Sequence, residues 1–217
     1  MPDSEKGLKL CARAEHAPAP YEVARAASEL EDLETAAAQM NNTALQVLLA
    51  DASARKLLAS ICGNSPFLGR IVRVHPDWLP RLIDRAPEEA MADLLTRLAV
   101  IRTLETQDEV MSALRLAKME AALLIALADI TGAWPLEQVT GALTDFADGA
   151  VDTAISWLMR QAAMRGQIMR APEDMTPEGS GLVILGMGKY GSRELNYSSD
   201  IDLVVFFEPG QLPLKDG

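Results

Sequence analysis

A helical pattern runs almost without interruption from about Tyr21 to Gly166, and it limits the chain to a mainly α fold. In the stretch Val110 to Ile130, apolar residues recur at steps of about three and four, which is typical of a helix with one buried face. The residues expected on that face are Leu114, Leu116, Met119, Leu123, Leu124 and Leu127, and those expected on the solvent side are Arg115, Lys118 and Glu120. Aromatic residues make up only 5% of the chain, which favours helices over sheet.

Residues with strong boundary preferences divide this region into separate helices. Gly63 predicts a helix end, and Ser65 followed by Pro66 predicts the cap and first residue of the next helix. Thr106 and Glu109 have the spacing of a capping box. Short helices are expected to begin at Pro76, Pro87 and Pro135, and a helix end is expected at Gly132. The region therefore predicts a multi-helix bundle.

The pattern changes after residue 170. Residues 171–180, APEDMTPEGS, contain two prolines and predict a linker or exposed loop. Two β-rich runs follow, Gly181 to Leu185 and Asp200 to Phe207. Because a sheet usually has about five or six strands, we expect a helical subdomain over residues 1–170 and, over 181–217, only the first strands of a truncated α/β domain.

Charge and cysteine content exclude several classes of protein. The net charge of -11 gives no whole-chain attraction to nucleic acid or to an anionic membrane. Cys11 and Cys62 form no C-x-x-C pair, and with only His16 and His75 in addition, a nitrogen or sulfur metal site is not expected. The longest apolar run, Ala121 to Ala128, is far below the roughly 20 residues that span a bilayer. We expect a cytoplasmic protein.

Charge is unevenly distributed along the helical region. Six basic and two acidic residues lie between Arg55 and Arg85, whereas the stretch from Met119 to Met159 holds six acids and neither Lys nor Arg. The simpler interpretation is two solvated helix faces of opposite sign. The alternative is that the basic helices face a phosphate or an acidic partner.

The glycine-rich segment GMGKYGS, from Gly186 to Ser192, allows two interpretations. Gly186, Gly188 and Gly191 match G-x-G-x-x-G after a strand, and Glu208 follows 17 residues after the last glycine, close to a dinucleotide-binding pattern. However, residues 193–200, RELNYSSD, offer only one short amphipathic turn where that fold needs a full crossover helix. A phosphate-binding P-loop is excluded because Gly-Lys-Ser/Thr does not follow at the required spacing.

The second interpretation explains two aspartates in the following strand. Residues two apart on a strand share a face, so Asp200 and Asp202 are expected side by side, with Ile201 and Leu203 packed in the core. Adjacent carboxylates repel unless a cation neutralises them, and oxygen ligands suit Mg²⁺. With the glycine-rich turn and Lys189 available for phosphate, this pattern indicates metal-assisted phosphoryl or nucleotidyl transfer.

At these residues the sequence resembles a known family. The run from Gly186 to Leu203, GMGKYGSRELNYSSDIDL, is similar to the signature of the glutamine synthetase adenylyltransferase/adenylyl-removing enzymes, members of the DNA polymerase β-like nucleotidyltransferase superfamily. Two upstream segments, GNSPFL from residue 63 and HPDWL from residue 75, resemble that family's helices. Tyr190 stands where leucine is usual, and Ser192 where a second glycine is usual.

The resemblance implies a large bifunctional enzyme with two similar halves. One half adds AMP to a tyrosine of glutamine synthetase, and the other removes it by phosphorolysis to give ADP. The position of the motif after a long helical lead-in favours the N-terminal, deadenylylating half. By the resemblance, Asp200 and Asp202 are catalytic and bind Mg²⁺, whereas the residues that hold phosphate and nucleotide (ATP or ADP) are Gly186, Gly188, Lys189, Gly191, Ser192 and Ser199.

Superfamily members also need a third carboxylate from a later strand, so we expect this segment to be inactive by itself. The alternative function is a binding module, in which the helical region docks glutamine synthetase or a PII-type signalling protein. Binding of Mg²⁺ and ADP distinguishes the two, because a docking module has no reason to respond to nucleotide.

Overall fold

The computed structural model describes residues 8–168, 180–208 and 211. Its helices and strands are α1 (Val23–Gln39), α2 (Thr43–Ala50), α3 (Ala52–Asn64), α4 (Pro66–Val74), α5 (Leu79–Ile83), α6 (Pro87–Ile101), α7 (Gln107–Ile130), α8 (Leu136–Met164), β1 (Leu182–Gly186), α9 (Gly188–Gly191) and β2 (Leu203–Phe207), with 3-10 turns at Leu10–His16 and Pro76–Trp78. The prediction of a mainly α chain followed by two strands is confirmed. The predicted linker, apart from Ser180, lies outside the described residues.

Local capping sets several helix ends, as predicted. Ser65 Oγ accepts a hydrogen bond from the backbone N–H of Leu68 at the start of α4 (3.2 Å). The capping box before α7 is reciprocal: the Thr106 N–H donates to Glu109 Oε2 at 2.9 Å, and the Glu109 N–H donates to Thr106 Oγ1 at 3.3 Å. After α7, Gly132 takes a left-handed φ of 61°, which ends the helix at little steric cost.

The helix after Pro135 is much longer than predicted. α8 runs for 29 residues from Leu136, so the expectation of a short helix there is wrong. Pro135 marks its start correctly, but no further proline occurs in the sequence before residue 172, and the interior glycines Gly141 and Gly149 weaken a helix without stopping it.

The described residues form two compact units. The first consists of the described residues up to Asp93 together with Met119–Val139, and the second consists of Leu94–Lys118 and the described residues from Thr140 onward. Leucines form the core of the first unit, where the fully buried side chains include Leu45, Leu57, Leu58, Leu79, Leu82 and Leu123. The exposed fraction of each is at or below 1%, so this core is apolar and closely packed.

Glu120 corrects the predicted solvent face of α7. Its side chain is buried, and its Oε2 lies 2.9 Å from Arg81 Nη2 in the same unit. Leu116, expected in the core, is exposed. The single-stripe pattern fails because residues 123–128 are all buried, so this stretch of α7 has no solvent face. For Arg81 and Glu120, the interpretation of separate solvated faces of opposite sign is also wrong, since the two charges meet.

In the second unit, two side chains of α8 bond to the segment that ends α6. Thr153 Oγ1 donates to the carbonyl oxygen of Leu98 at 3.2 Å, and Trp157 Nε1 donates to that of Leu104 at 2.9 Å. The Thr153 side chain is buried, and so is the Trp157 ring. These bonds satisfy polar groups in the core and fix α8, against which the glycine turn packs.

The two strands pair antiparallel, with Leu182 opposite Phe207 and Gly186 opposite Leu203. A dinucleotide-binding βαβ unit requires parallel strands joined by a full helix. Here only the four-residue α9 lies between β1 and β2. The structure therefore confirms that G-x-G-x-x-G does not form a dinucleotide-binding unit in this chain.

Two details of the second strand differ from prediction. β2 begins at Leu203, so Asp200 and Asp202 precede it instead of lying within it. Ile201 and Leu203 were expected in the core but are 37% and 38% exposed. Alternation along a strand decides which residues share a face, whereas burial requires another layer, and β2 is exposed along its whole length.

Among the described helices, none combines the length and the apolar character needed to cross a membrane.

Candidate functional site

Each of the three glycines in the turn between β1 and β2 is favoured over a larger residue for a different steric reason. A Cβ at Gly186 would lie 2.8 Å from Cδ1 of the Tyr190 ring, and a Cβ at Gly191 would lie 2.3 Å from the carbonyl oxygen of Gly186. Gly188 has open space but a φ of 55°, which favours glycine. The three glycines therefore allow α9 to fold back tightly against the end of β1.

The strand pairing brings the aspartates to this turn. Beyond the last paired residues, the N–H of Met187 donates to the carbonyl oxygen of Asp202 at 2.9 Å. This bond places the backbone of Asp202 beside the first residue after β1. The D-x-D segment thus lies next to the glycine turn, although it is not part of the strand.

Four of the predicted site residues line one cavity of about 340 Å³. They are Lys189, Ser199, Asp200 and Asp202, and the cavity is completed by Met187, Tyr190, Asn196 and Ser198. Gly186 and Gly191 instead line a neighbouring cavity of about 490 Å³ together with residues of α8. Gly188 and Ser192 belong to the turn itself, and the Ser192 hydroxyl lies 3.2 Å from Glu194 Oε2.

Asn196 organises the serines at the cavity, a role that the sequence reasoning missed. Its Oδ1 accepts hydrogen bonds from the Ser198 N–H (3.1 Å) and the Ser199 hydroxyl (2.9 Å), while Ser199 Oγ accepts from the Asn196 N–H at 3.1 Å. Asn commonly forms such turns, because its side chain accepts a hydrogen bond from the backbone two residues further on. That local signal was available in the sequence.

Two acids of α8 were also missed. The Tyr190 hydroxyl donates to Asp148 Oδ1 at 2.6 Å, and Arg193 Nη2 lies 2.5 Å from Asp145 Oδ1. Burial, together with this hydrogen bond and the negative charge of Asp148, raises the pKa of Tyr190 above its usual value, so it remains a neutral donor. Both acids belong to the charge run in α8, but the sequence does not indicate which acids of a run meet a partner.

The donor set of the cavity fits a hard cation. Asp200 and Asp202 supply carboxylate oxygens, and Asn196 and Ser199 supply neutral oxygens. Within residues 8–168, 180–208 and 211, no group of three or more His, Cys, Asp or Glu side chains could enclose a metal ion. Mg²⁺ is commonly held by one or two carboxylates with water and substrate phosphates, so this set fits Mg²⁺ better than zinc.

The glycine-rich motif indicated a nucleotidyltransferase. The mainly helical fold, the antiparallel strand pair and the oxygen-lined cavity agree with that class of protein. The family model described as glutamate-ammonia ligase adenylyltransferase matches residues 55–216, well over half of the chain. The chain belongs to this family.

Curated relatives are also named as glutamine synthetase adenylyltransferases. A bifunctional glutamine synthetase adenylyltransferase/adenylyl-removing enzyme from Rhodopseudomonas palustris is 51% identical over 152 residues, covering 70% of this chain and 15% of the relative. Proteins of the same name from Bradyrhizobium sp. and Xanthobacter autotrophicus are 46% and 39% identical, covering 76% and 99% of this chain and 17% and 22% of the relatives. The chain thus spans about a fifth or less of their length. No solved structure matches it.

Proposed function

We propose that this chain is part of an enzyme that removes AMP from a tyrosine of glutamine synthetase, as the deadenylylating half of a bifunctional protein. The observation that carries the proposal is that Lys189, Asp200 and Asp202 line one cavity beside the glycine turn. Family membership supports the substrate, because the relatives are named for adding AMP to glutamine synthetase and removing it.

In this proposal Asp200 and Asp202 hold Mg²⁺. When bound, the ion supplies Lewis-acid stabilisation of phosphate oxygens. The Lys189 ammonium contributes a second positive charge on the same cavity, toward inorganic phosphate or the phosphates of ADP. Asn196 holds the Ser199 hydroxyl at the cavity wall through a hydrogen bond. Lys189 is itself a residue of the glycine turn, which ends at Ser192.

The reaction is a phosphorolysis. An oxygen of inorganic phosphate bonds to the phosphorus of the AMP group, and the bond between that phosphorus and the tyrosine oxygen breaks. The tyrosine oxygen takes up the proton that the attacking phosphate loses, which leaves ADP and unmodified tyrosine. The partners of the protein are accordingly glutamine synthetase, phosphate and nucleotide, with a PII-type protein as regulator, and we propose that it acts in the cytoplasm.

A substitution in the full-length enzyme tests both the site and the half to which it belongs. Asp202→Asn should reduce phosphate-dependent release of AMP from modified glutamine synthetase by about 100-fold or more, the scale seen when charge stabilisation is lost. Transfer of AMP from ATP to unmodified glutamine synthetase should be unchanged, because the other half performs it. Asp152→Asn, an acid on α8 outside the cavity of Asp202, is the matched control.

Unchanged AMP release together with unchanged AMP transfer in Asp202→Asn would overturn the proposed site. Loss of AMP transfer with normal AMP release would keep the site and overturn the assignment to the deadenylylating half. Partner binding by this chain without any response to Mg²⁺ and ADP would favour a docking module instead.

A further inference from the structure

Tyr190 joins the glycine turn to α8. Its ring is 7% exposed and packs in a small apolar cluster with Ala147 and Leu195, against which Leu143 also packs. The ring edge lies so close to Gly186 that a Cβ there would be 2.8 Å from it. The buried ring carries its hydroxyl to Asp148 Oδ1, 2.6 Å away. The hydroxyl is therefore both oriented and satisfied by a single acid of α8.

Arg193 makes a second connection from the turn to the same helix. Its backbone φ is 60°, a left-handed value that non-glycine residues rarely adopt. Its guanidinium lies 2.5 Å from Asp145 Oδ1 and 3.7 Å from Asp148 Oδ2. Asp148 thus contacts both Tyr190 and Arg193. Because the arginine pairs are about half exposed, they are expected to contribute less than the bond to the buried tyrosine.

These connections bear on Lys189, the residue before Tyr190. Lys189 and Tyr190 are successive residues of α9, and successive helical residues point about 100° apart. Tyr190 and Lys189 both line the cavity of Asp200 and Asp202, but the Tyr190 hydroxyl is held by Asp148 of α8. Rotation of α9 that frees Tyr190 from Asp148 would also turn Lys189 away from the aspartates.

We propose that Asp148, with Tyr190 as its partner, is a positioning residue that holds Lys189 toward the nucleotide phosphates. This inference rests on the proposed function for the ligand and on the described contacts for the mechanism. Asp148 lies on α8, far along the chain from the motif, and does not line the cavity of Asp200 and Asp202.

The test measures the affinity of this chain for ADP in the presence of Mg²⁺ by calorimetry. Tyr190→Phe keeps the ring and removes only the donor, and Asp148→Ala removes the acceptor. Each should weaken ADP binding about tenfold, the size expected for losing one hydrogen bond to a charged group. Asp148→Asn retains an acceptor oxygen and should restore most of the affinity. Asp152→Asn, one turn further along α8, is the control and should bind normally.

A double variant separates positioning from general damage. If the two groups act through one bond, Tyr190→Phe with Asp148→Ala should bind ADP no more weakly than either single variant. Tyr190→Phe should still be folded at the temperature of the calorimetry, as a thermal unfolding curve can show, so that its weaker ADP binding does not come from an unfolded chain.

The possible failures are distinguishable. Wild-type affinity in both Tyr190→Phe and Asp148→Ala would overturn the positioning role alone. Additive losses, or a loss in Asp148→Asn as large as in Asp148→Ala, would also overturn it. Absence of ADP binding by the wild-type chain would overturn the proposed function, and with it any positioning for that ligand.

Discussion

Replacing Gly191 by alanine should open the glycine turn even though alanine is the better helix former. The added Cβ would lie 2.3 Å from the carbonyl oxygen of Gly186, whereas ordinary contact begins at about 3.4 Å. A relative shift of about 1 Å is therefore needed. The carbonyl oxygen belongs to the backbone of β1 and the Cβ is fixed to the backbone of α9, so no flexible side chain can give way.

The expected cost follows from two opposing effects. Overpacking costs up to about 3 kcal/mol, and a rigid backbone neighbour places this case near the upper end. Replacing glycine by alanine within a helix stabilises that helix by about 1 kcal/mol. The remaining ~2 kcal/mol corresponds to roughly 30-fold easier opening of the turn, since about 1.4 kcal/mol is tenfold in an equilibrium.

Hydrogen–deuterium exchange of the turn amides measures this opening directly. The reporters are the N–H groups of Ser192 and Glu194, which donate to the carbonyl oxygens of Gly188 and Lys189 at 3.0 and 2.8 Å. Their exchange should accelerate roughly 30-fold in Gly191→Ala.

Gly141→Ala is the matched control for this measurement. It lies on α8, and its added Cβ would come no closer than 3.9 Å to a side-chain atom of Arg193. In Gly141→Ala the amides of Ser192 and Glu194 should exchange at the wild-type rate. Equal or slower exchange in Gly191→Ala would refute the close approach of α9 to β1.

Three further predictions concern other parts of the chain. Arg81→Met should lower the free energy of unfolding of the first unit by about 1–3 kcal/mol in urea titration, because buried Glu120 loses an ion pair; an unchanged value would contradict this pairing. Backbone and side-chain hydrogen bonds from Thr106 hold the pKa of Glu109 below its ordinary value. The stabilisation by the capping box should therefore be complete above the unfolded-state pKa of about 4.3 and should be lost as pH falls through the lower folded-state pKa. An NMR titration midpoint of the Glu109 carboxyl at or above about 4.3 would contradict this. Burial raises the pKa of the Cys62 thiol to about 12, so iodoacetamide should modify it at neutral pH only when the chain unfolds, as mass spectrometry can show; rapid modification of the folded chain would contradict this.

The sequence predicted features whose causes are local. Ser65 and Thr106 cap helices through partners three residues away, and Gly132 ends α7 through its own φ. The dinucleotide-binding alternative was already disfavoured because the residues between the strands are poor formers of a crossover helix, and the antiparallel strand pair then ruled it out. The glycine turn and the D-x-D segment were found together because they are close in the chain.

Features that depend on distant partners were not predictable in the same way. Glu120 is buried because Arg81 lies beside it, and the two are far apart in sequence. Asp148 was one acid in a run until its bond to Tyr190 was located. Ile201 was expected in the core on alternation alone, but burial requires a second layer. The division into domains at residues 171–180 and the catalytic roles of Asp200 and Asp202 stay predictions.

The most direct test of the central claim is the Mg²⁺ dependence of ADP binding to this chain, measured by calorimetry. Our account predicts that Mg²⁺ tightens ADP binding by the wild type and by the Asp152→Asn control. In a variant carrying both Asp200→Asn and Asp202→Asn, that dependence should disappear while the fold is retained. ADP binding that responds to Mg²⁺ equally in the double variant and the wild type would contradict the account.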